Sequence, residues 1–349
     1  MNGAAVSDRQ VRVCDSSLRD GSNAVGQGLT PDQVATVARS LDGAGVYAIE
    51  VGHGDGLAAS SIHYGESRHG DLELIRAAAA EIHHAELAVN MQPGVGTKDD
   101  IRAARDCGGT VIKVATHCTE ADIAIQHIGL ARELTGHAAG GLMMTHLAKP
   151  DTLARNARIM AEAGAECVYV ADSAGALTMD GMRARVRAVR AALPDDVDIA
   201  VHAHNNLGLA IANSIVAVEE GARVIDACLA GFGAGAGNCQ LEALVAVLHR
   251  MGIQTGVDLW KVMDAAEDCV RPIMQRTPIV DRTTIALGYA GVYSSFLKHV
   301  RDAAERYSVD PRNLLVELGR RRVVAGQEDA ILDAAASLGA APRPTRARS

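Results

Sequence analysis

Short runs of β-branched residues alternate with longer alanine-rich stretches from residue 11 to about residue 255. This alternation predicts strand–helix units, which form a parallel sheet with right-handed crossovers. Eight such units in about 250 residues favour a closed (β/α)8 TIM barrel over an open, doubly wound sheet. The predicted strands are residues 11–15, 47–51, 86–90, 111–116, 141–146, 167–172, 199–204 and 224–229.

The 349-residue chain changes character after residue 256, where only helical patterns remain, over residues 259–269, 292–307, 311–318 and 327–338. Only two phenylalanines and one tryptophan occur among 48% apolar residues, so aliphatic side chains must fill the core. The predicted domains are an N-terminal extension over 1–10, a barrel over 11–256, a small helical domain over 257–340 and a disordered tail over 341–349.

The net charge of −8 is spread over the chain without a basic stripe, which argues against nucleic acid or an anionic membrane as the partner. No apolar run reaches the roughly 18 residues that a membrane helix needs. The first ten residues lack the layout of a signal peptide. These features predict a cytoplasmic protein. The seven cysteines include no Cys-x-x-Cys pair, which favours buried, reduced thiols over disulfides or a zinc cluster.

Polar and glycine-rich residues follow four of the predicted strands, whose own residues are mainly apolar. Catalytic groups of such barrels lie at the C-terminal ends of the strands and in the loops that follow them. The candidate segments are therefore residues 15–21 after the first strand, 172–175 after the sixth, 202–206 after the seventh and 231–238 after the eighth.

His202 and His204 stand two residues apart on the seventh strand, so both side chains point to the same face. With Asp20 from the first loop they offer two imidazoles and one carboxylate. This donor set suits a borderline divalent ion and leaves positions open for a substrate. The alternative is a pair of polar histidines on a solvent-facing strand. Their place at the C-terminal end of a barrel strand favours the metal site.

Arg19 puts a cation beside Asp20. A bound metal polarises a carbonyl group, and a neighbouring guanidinium can hold the enolate oxygen that develops when a carbon–carbon bond breaks. The alternative is a salt bridge on the rim of the barrel, which would contribute little. The position of the loop favours the catalytic interpretation.

The loop after the eighth strand fits G-x-G-x-x-A, the dinucleotide fingerprint, at Gly231, Gly233 and Ala236. No parallel strand–helix–strand unit follows it, which disfavours a nicotinamide site. Barrels often bind anionic groups in the loops after strands seven and eight. We therefore expect backbone packed close to a substrate or a metal, with Asn238 as a candidate additional oxygen ligand.

The order of these motifs resembles that of the metal-dependent barrel lyases, which include 3-hydroxy-3-methylglutaryl-CoA lyase and isopropylmalate synthase. Segments 93–99, 116–122, 172–175 and 288–296 are similar to the 4-hydroxy-2-oxovalerate aldolase family, and the match runs from about residue 10 to residue 338. The resemblance implies a class II, pyruvate-specific aldolase that cleaves a 4-hydroxy-2-oxoacid to pyruvate and an aldehyde. The implied cofactor is a divalent metal, usually Mn2+, with Co2+, Mg2+ or Zn2+ as alternatives.

The resemblance also implies a partner and roles for single residues. The partner is an acylating aldehyde dehydrogenase, docked through the helical domain; a homo-oligomer is left open. The implied roles are metal binding by Asp20, His202 and His204, stabilisation of the pyruvate enolate by Arg19, contact with the pyruvate carboxylate by Ser173, and a position near the substrate for Tyr293.

Three positions depart from the family pattern. The family histidine four residues after the arginine, which handles the 4-hydroxyl proton, is Asn23 here, and an amide cannot take up a proton at neutral pH. Water, Tyr293 or another histidine must then serve, or the rate is low. Asn90 and Gln92 replace the leucines that line the family's aldehyde pocket. These amides predict a more polar aldehyde, with neutral drift as the alternative. Together the three departures predict a specialised paralogue that works in the synthetic direction.

Three other interpretations are open. Lys113 lies within the fourth strand, where a desolvated lysine could form a Schiff base, as in metal-free aldolases. Loss of the histidine could leave a catalytically weak scaffold that stabilises the dehydrogenase. A Claisen-type acyl transferase would use the same metal and enolate chemistry.

Overall fold

The computed structural model describes residues 10–340, in which eight parallel strands close into a barrel in chain order. Strand β8 pairs back onto β1, which closes the barrel. The prediction of a (β/α)8 barrel followed by helices is confirmed. The strands are β1 Arg12–Asp15, β2 Ala48–Glu50, β3 Glu86–Met91, β4 Val111–His117, β5 Ala138–Met143, β6 Cys167–Asp172, β7 Asp198–Ala203 and β8 Val224–Ala227.

Alanine-rich helices surround the strands and pack their apolar faces onto them. Helix α2 shows why such a helix begins where it does: Thr30 and Gln33 form a capping box, and Pro31 takes the first helical position. The helices of the barrel are α1 Gly21–Ala24, α2 Pro31–Gly43, α3 Asp71–Ala79, α4 Lys98–Asp106, α5 Ile125–Thr135, α6 Pro150–Glu162, α7 Met179–Ala192, α8 Ala210–Glu219 and α9 Leu241–Arg250.

The fifth strand lies three residues earlier than predicted, at Ala138–Met143 instead of 141–146. Its sequence contains no β-branched residue, so composition gave no signal for its start. Gly140 is packed against helix α6, since a Cβ atom there would lie 2.5 Å from the sulfur of Met160. The strand ends at Met143, Met144 follows with a positive φ of 55°, and a 3₁₀ turn comes next over Thr145–Leu147.

Two groups of helices follow the barrel and pack differently. Helix α10 Leu259–Asp264 and a π-helical turn at Ala265–Val270 pack into the barrel core, so the predicted boundary at residue 257 precedes a segment that belongs with the barrel. A second hydrophobic core forms among the remaining helices, which are α11 Arg282–Ala290, α12 Leu297–Arg306, α13 Pro311–Arg321 and α14 Asp329–Ala340.

Helix α11 was not predicted, and the helix predicted over 292–307 begins only at Leu297. A 3₁₀ turn at Ser294–Phe296 comes before it. The start of α11 carries a capping signal, because the Asp281 carboxylate accepts hydrogen bonds from the backbone N–H groups of Thr283 and Thr284.

Parts of the predictions for the two ends of the chain lie outside the described residues, namely the N-terminal extension up to residue 9 and the disordered tail over 341–349. Across residues 10–340 no helix combines the length and the apolar character needed to cross a bilayer. All seven cysteines lie in this range as free thiols, and five are buried, as the sequence predicts.

Candidate metal centre and active site

Asp20, His202 and His204 converge at the C-terminal mouth of the barrel, and the ligand atoms that they offer all lie within 4.8 Å of one another. Asp20 stands at the N-terminus of α1, just after β1, while His202 lies on β7 and His204 one residue beyond its end. All three side chains are buried. The two strands therefore bring together the three residues that the sequence analysis selected.

Hydrogen bonds hold the two imidazoles with their Nε2 atoms facing a common point. Nδ1 of His202 lies 2.9 Å from Oδ2 of Asp226, and Nδ1 of His204 lies 3.4 Å from the backbone oxygen of Ala234. Because each Nδ1 carries the proton in this arrangement, each Nε2 keeps its lone pair, and these two atoms are 3.3 Å apart. Burial lowers the pKa of His204 to about 4, which keeps it neutral, as a metal ligand must be.

The glycine loop packs its backbone directly against Asp20. The backbone N–H of Ala234 donates to Oδ2 of Asp20 at 3.1 Å, and Nδ2 of Asn238 donates to the same oxygen at 2.6 Å. A Cβ atom on Gly233 would lie 2.6 Å from that oxygen, so only glycine lets the loop approach so closely. Oδ1 of Asn238 is buried and receives no hydrogen bond from any residue between 10 and 340.

These donors fit a divalent cation. They comprise two neutral imidazoles, one carboxylate and an amide oxygen without a donor, a mixed nitrogen and oxygen set. Burial acts to raise the pKa of Asp20, but the Arg19 cation and the hydrogen bond from Asn238 act in the opposite direction, and that pKa lies below its usual range. The carboxylate is thus ionised and able to bind a cation.

Arg19 is buried and is not part of a rim salt bridge. Its Nη1 donates to Oδ1 of Asp20 at 2.9 Å and to the backbone oxygen of Gly54 at 3.1 Å, and its Nε donates to Oε2 of Glu50 at 2.9 Å. Nη2 forms no hydrogen bond with any described residue and remains free for a ligand. These contacts fix the plane of the guanidinium beside Asp20, His202 and His204, which we call the metal triad.

Lys113 continues this set of contacts across the inside of the barrel. Its Nζ lies 2.7 Å from Oε1 of Glu50 and 3.4 Å from Oδ2 of Asp226. Burial acts to lower the pKa of Lys113, but the two carboxylates raise it overall, so the side chain stays an ammonium. We call the resulting series the buried ion chain, and its members in order are Asp20, Arg19, Glu50, Lys113, Asp226 and His202.

The buried ion chain separates two cavities. One opens at the C-terminal mouth above Lys113, and the other lies at the N-terminal end of the barrel, with Arg12 and Tyr47 in its wall. Catalytic groups of this fold lie at the C-terminal face, so the first cavity is the candidate active site. It is lined by the metal triad and by all five residues predicted to bind substrate, namely Arg19, Asn90, Gln92, Ser173 and Tyr293.

A family model described as HMGL-like matches residues 10–269. The chain belongs to the HMGL-like family. A second model, the DmpG-like communication domain, matches residues 278–340, which hold helices α11 to α14.

This HMGL-like chain is similar in sequence to two aldolases over nearly its whole length. It is 52% identical over 325 residues to the 4-hydroxy-2-oxohexanoate aldolase of Mycobacterium tuberculosis, with 93% of this chain and 94% of the relative covered. It is 52% identical over 333 residues to the 4-hydroxy-2-oxovalerate aldolase of Moorella thermoacetica, with 95% and 98% covered.

The fold of this HMGL-like chain is also found in solved structures of lower sequence identity. The carboxyl transferase domain of Rhizobium etli pyruvate carboxylase, solved with pyruvate and biocytin, has a TM-score of 0.81 over 95% of this chain and 61% of that chain, at 15% identity. The N-terminal domain of a putative aldolase from Bacteroides vulgatus has a TM-score of 0.70 over 82% and 95%, at 19% identity. Both likenesses concern the fold alone.

Asn23 is the one predicted catalytic residue of this HMGL-like chain that does not line the active-site cavity. It lines two neighbouring cavities, and Gly54 lies between it and the active site. Its Oδ1 accepts a hydrogen bond from Nε2 of Gln27 at 2.8 Å, and its buried Nδ2 donates to no residue within 10–340. Neither group can act as a proton acceptor at neutral pH.

Tyr293 reaches the HMGL-like active site from the C-terminal helices. The backbone N–H of Ser294 donates to the backbone oxygen of Ser173 at 3.0 Å, which fixes the segment at the end of β6. The Tyr293 hydroxyl then donates to Oδ1 of Asp55 at 3.1 Å. Ser173 itself accepts a bond at Oγ from the backbone N–H of Met144, at 3.0 Å, so its hydroxyl proton is free for a ligand.

Glu50, Asp55 and Asp226 belong to the site but were not predicted from the sequence. A signal existed for two of them, because Glu50 and Asp226 interrupt otherwise apolar strands. Asp55 lies in the polar loop after β2, the end of which was not considered. Lys113 was considered as a nucleophile, whereas the structure gives it two carboxylate partners.

Proposed function

We propose that this protein is a class II pyruvate aldolase, a metal-dependent carbon–carbon lyase. It reversibly cleaves a 4-hydroxy-2-oxoacid of the 4-hydroxy-2-oxovalerate type to pyruvate and an aldehyde. The observation that carries the proposal is the convergence of Asp20, His202 and His204 beside the free Nη2 of Arg19 in one buried cavity. The two relatives that are 52% identical bear aldolase names of this type, which supports it.

Asp20, His202 and His204 would hold the metal, with Oδ1 of Asn238 as an additional ligand, and we propose Mn2+ as the ion. When bound, such an ion acts as a Lewis acid toward the 2-oxo group. Nη2 of Arg19 donates to the oxygen on which the enolate charge develops. The Ser173 hydroxyl donates a hydrogen bond to the substrate carboxylate, which fixes the orientation of the pyruvate part.

Two amide side chains, Asn90 and Gln92, determine which aldehyde the active site prefers. Oδ1 of Asn90 is buried in the wall of the cavity without a donor among the described residues. Nε2 of Gln92 donates to the backbone oxygen of Asp55 at 2.9 Å, and Oε1 of Gln92 remains available as an acceptor. An aldehyde with a hydroxyl or N–H group would satisfy these oxygens, so it should bind better than an alkyl aldehyde.

The substrate preference can be tested by measuring aldol addition of pyruvate to a panel of aldehydes. We expect higher kcat/KM with hydroxylated or heteroaromatic aldehydes than with acetaldehyde or propanal, and Asn90→Leu should reverse the order. Fastest turnover of the wild-type enzyme with propanal would contradict the polar pocket and the synthetic role.

Helices α11 to α14 are proposed to dock an acylating aldehyde dehydrogenase, because residues 278–340 match a domain described as a communication domain. Co-expression with such a dehydrogenase should give a complex that survives gel filtration.

Two alternative functions would give different results. A complex without aldolase turnover would favour a scaffold that stabilises the dehydrogenase, and consumption of a thioester would favour a Claisen-type acyl transferase. The cytoplasmic location of the protein remains a prediction.

A Schiff-base mechanism is disfavoured by the surroundings of Lys113. The lysine is held as an ammonium between Glu50 and Asp226, and a protonated amine does not attack a carbonyl. We expect no increase in mass after treatment with pyruvate and borohydride. Covalent trapping at Lys113 would overturn this assignment.

The first test of the function is exchange of the pyruvate methyl protons in D2O, followed by NMR with Mn2+ and with EDTA. We expect exchange that requires the metal, is lost in His202→Ala and is retained in His83→Ala, a change of an exposed histidine. Exchange that persists in EDTA would contradict the proposed function. So would an Mn2+-loaded enzyme that neither exchanges the pyruvate protons nor cleaves 4-hydroxy-2-oxovalerate.

A further inference from the structure

We infer that Tyr293 and Asp55 form the proton relay that serves the 4-hydroxyl group of the substrate, with Asp55 as the terminal proton acceptor. This inference rests on the proposed function. Aldol cleavage requires a group that accepts the hydroxyl proton, and such general bases typically contribute about 10²–10⁴-fold to the rate.

The active-site cavity offers few candidates for this base. Asn90, Gln92 and Ser173 cannot accept a proton at neutral pH. Arg19 and Lys113 are cations, and the remaining ionisable side chains in the wall are the three proposed metal ligands and two tyrosines, Tyr169 and Tyr293. The Tyr169 hydroxyl donates to Sγ of Cys14 at 3.5 Å, in the direction of the N-terminal cavity, whereas the Tyr293 hydroxyl points at a carboxylate. Tyr293 is therefore the candidate with a route for the proton.

The bond between Tyr293 and Asp55 joins two cavities. Tyr293 lines the active site, whereas Asp55 lines a second cavity of about 180 Å³ on the other side. Both side chains are buried, with 7% and 5% of their surface exposed. A proton that reaches Asp55 can therefore leave toward solvent without passing the metal.

The backbone around Asp55 is fixed on both sides of the residue. Its N–H donates to Nδ1 of His53 at 3.0 Å, and its carbonyl oxygen accepts from Nε2 of Gln92 at 2.9 Å. Gly56 follows with a φ of +99°, and a Cβ atom there would lie 2.9 Å from the backbone oxygen of Asn90. The carboxylate is thus held in place toward Tyr293.

The electrostatic surroundings leave Asp55 able to change its protonation near neutral pH. Burial raises the pKa of Asp55 to about 6, although His53, the Tyr293 hydrogen bond and Arg19 act to lower it and Glu328 adds to the rise. The pKa of Tyr293 is raised well above its usual value by burial, so Tyr293 passes the proton while staying neutral. The other ionisable groups in the wall of the second cavity are Tyr64, Glu66, Lys298, His299 and Glu328.

The cleavage step transfers two protons and two electron pairs. The substrate O–H bond breaks and its proton moves to the Tyr293 oxygen while the Tyr293 proton moves to Asp55. The electron pair of that O–H bond forms the C=O bond of the aldehyde, the C3–C4 bond breaks, and its electron pair makes the enolate of pyruvate. A proton from solvent completes the methyl group, and Asp55 returns its proton to the second cavity. Addition of pyruvate to an aldehyde runs these transfers in reverse.

The test compares two reactions of the full-length, Mn2+-loaded enzyme. Cleavage of 4-hydroxy-2-oxovalerate needs the relay, whereas exchange of pyruvate methyl protons in D2O involves no 4-hydroxyl group. We expect Asp55→Asn and Tyr293→Phe each to lower kcat for cleavage by about 10²–10⁴-fold while exchange stays within about twofold of wild type. The matched control is Glu66→Gln, which changes a neighbouring wall residue of the second cavity and should leave both reactions unchanged.

The pH profile gives a second readout. Because ionised Asp55 accepts the proton, kcat/KM for cleavage in the wild-type enzyme should rise with pH and level off above about 6, the pKa of Asp55. This limb should vanish in Asp55→Asn.

Three outcomes would overturn the relay. Asp55→Asn with unchanged cleavage and an unchanged limb would exclude Asp55. Equal loss of cleavage and exchange in both variants would mean that the pair only supports the structure of the site. A wild-type enzyme with neither reaction would remove the proposed function and the relay with it.

Discussion

At the scale of single residues, the buried ion chain explains how charged side chains persist in the core of the barrel. A buried charge without a partner is strongly destabilising, but here each charge lies beside one of opposite sign. Three carboxylates face two cations, so the chain keeps one net negative charge. That excess favours a divalent cation at its outer end, where Asp20 stands beside the two histidines.

Lys113→Met removes one cation from the middle of the buried ion chain. Glu50 and Asp226 would then each lose one cationic neighbour, and the Asp226 carboxylate that orients Nδ1 of His202 would no longer be held from its other side. We expect unfolding free energy to fall by about 3–5 kcal/mol and Mn2+ affinity to fall by about 10–100-fold. Denaturant titration and calorimetry measure the two effects.

The control for that change is Lys98→Met, at an exposed position at the start of α4. It should alter stability by no more than about 0.5 kcal/mol. If Lys113→Met bound Mn2+ as tightly as the wild type, the ion chain would have no role in orienting the metal ligands.

Gly233→Ala tests the close approach of the glycine loop to Asp20. The added methyl group would lie 2.6 Å from Oδ2 of Asp20, so the carboxylate or the loop must move. We expect weaker Mn2+ binding, by about tenfold or more, and a parallel loss of pyruvate exchange. Gly129→Ala in helix α5 meets nothing within 4 Å and should be neutral or stabilise by up to about 1 kcal/mol. Equal effects of the two changes would argue against the packing described.

The three proposed metal ligands could be grouped from the sequence because the C-terminal ends of barrel strands meet at one face. Asp20, His202 and His204 could therefore be grouped from their places at strand ends alone. Glu50 and Asp226 could not be assigned partners, because their contacts with Arg19 and Lys113 cross the barrel and depend on the register of four strands. The pair of Tyr293 and Asp55 likewise depends on contacts 238 positions apart in the chain.

At the scale of elements, α11 and β5 show where local pattern fails. Residues 282–290 contain two threonines, an isoleucine and a glycine, which are weak helix formers, and the hydrogen bonds of Asp281 at the helix start compensate for them. Strand β5 has alanine and glycine in place of β-branched residues, because its neighbours approach too closely for larger side chains. In both elements long-range or capping interactions outweigh intrinsic preference.

Asp281→Ala should destabilise the start of α11. The change removes hydrogen bonds to Thr283 and Thr284 and ion pairs with Arg276 and Arg301. We expect a loss of about 1–2 kcal/mol, as for other N-caps, visible as faster hydrogen exchange over residues 282–290. Asp333→Ala, an exposed change on α14, is the control and should leave that exchange unchanged.

The same cap predicts a dependence on pH. Burial acts to raise the pKa of Asp281, but the two N–H groups and the two arginines lower it overall. Since the folded pKa lies below the unfolded one, the contribution is complete above the unfolded value of about 3.9 and is lost as the pH falls toward the folded value. Protection of α11 that did not change over that acidic range would contradict this role.

At the scale of the whole molecule, the candidate metal site is built from regions that are far apart in the chain. Asp20 comes from the first strand–helix unit and the two histidines from the seventh, while Tyr293 comes from beyond the barrel. The alternation of strands and helices made the barrel itself predictable. The insertion of Tyr293 was not, because it depends on how the C-terminal helices dock on β6.

Binding of Mn2+ should therefore stabilise the folded protein as a whole. A ligand that binds only the native state at about 100 times its Kd adds about 2.7 kcal/mol. We expect Mn2+ to raise the Tm of the wild type and EDTA to reverse the rise, while His204→Ala shows no response. A similar rise in His204→Ala, measured by calorimetry, would place the bound ion elsewhere.

Because the proposed metal ligands come from both halves of the chain, metal binding can report whether two separate halves of the barrel associate. A break between Gly136 and His137, in the exposed loop before β5, would leave Asp20, Glu50 and Lys113 on one fragment and His202, Asp226 and Tyr293 on the other. Neither fragment would hold a complete metal site. Mn2+ binding by a mixture of the two would then measure how well half-barrels recognise each other, without any label attached to either piece.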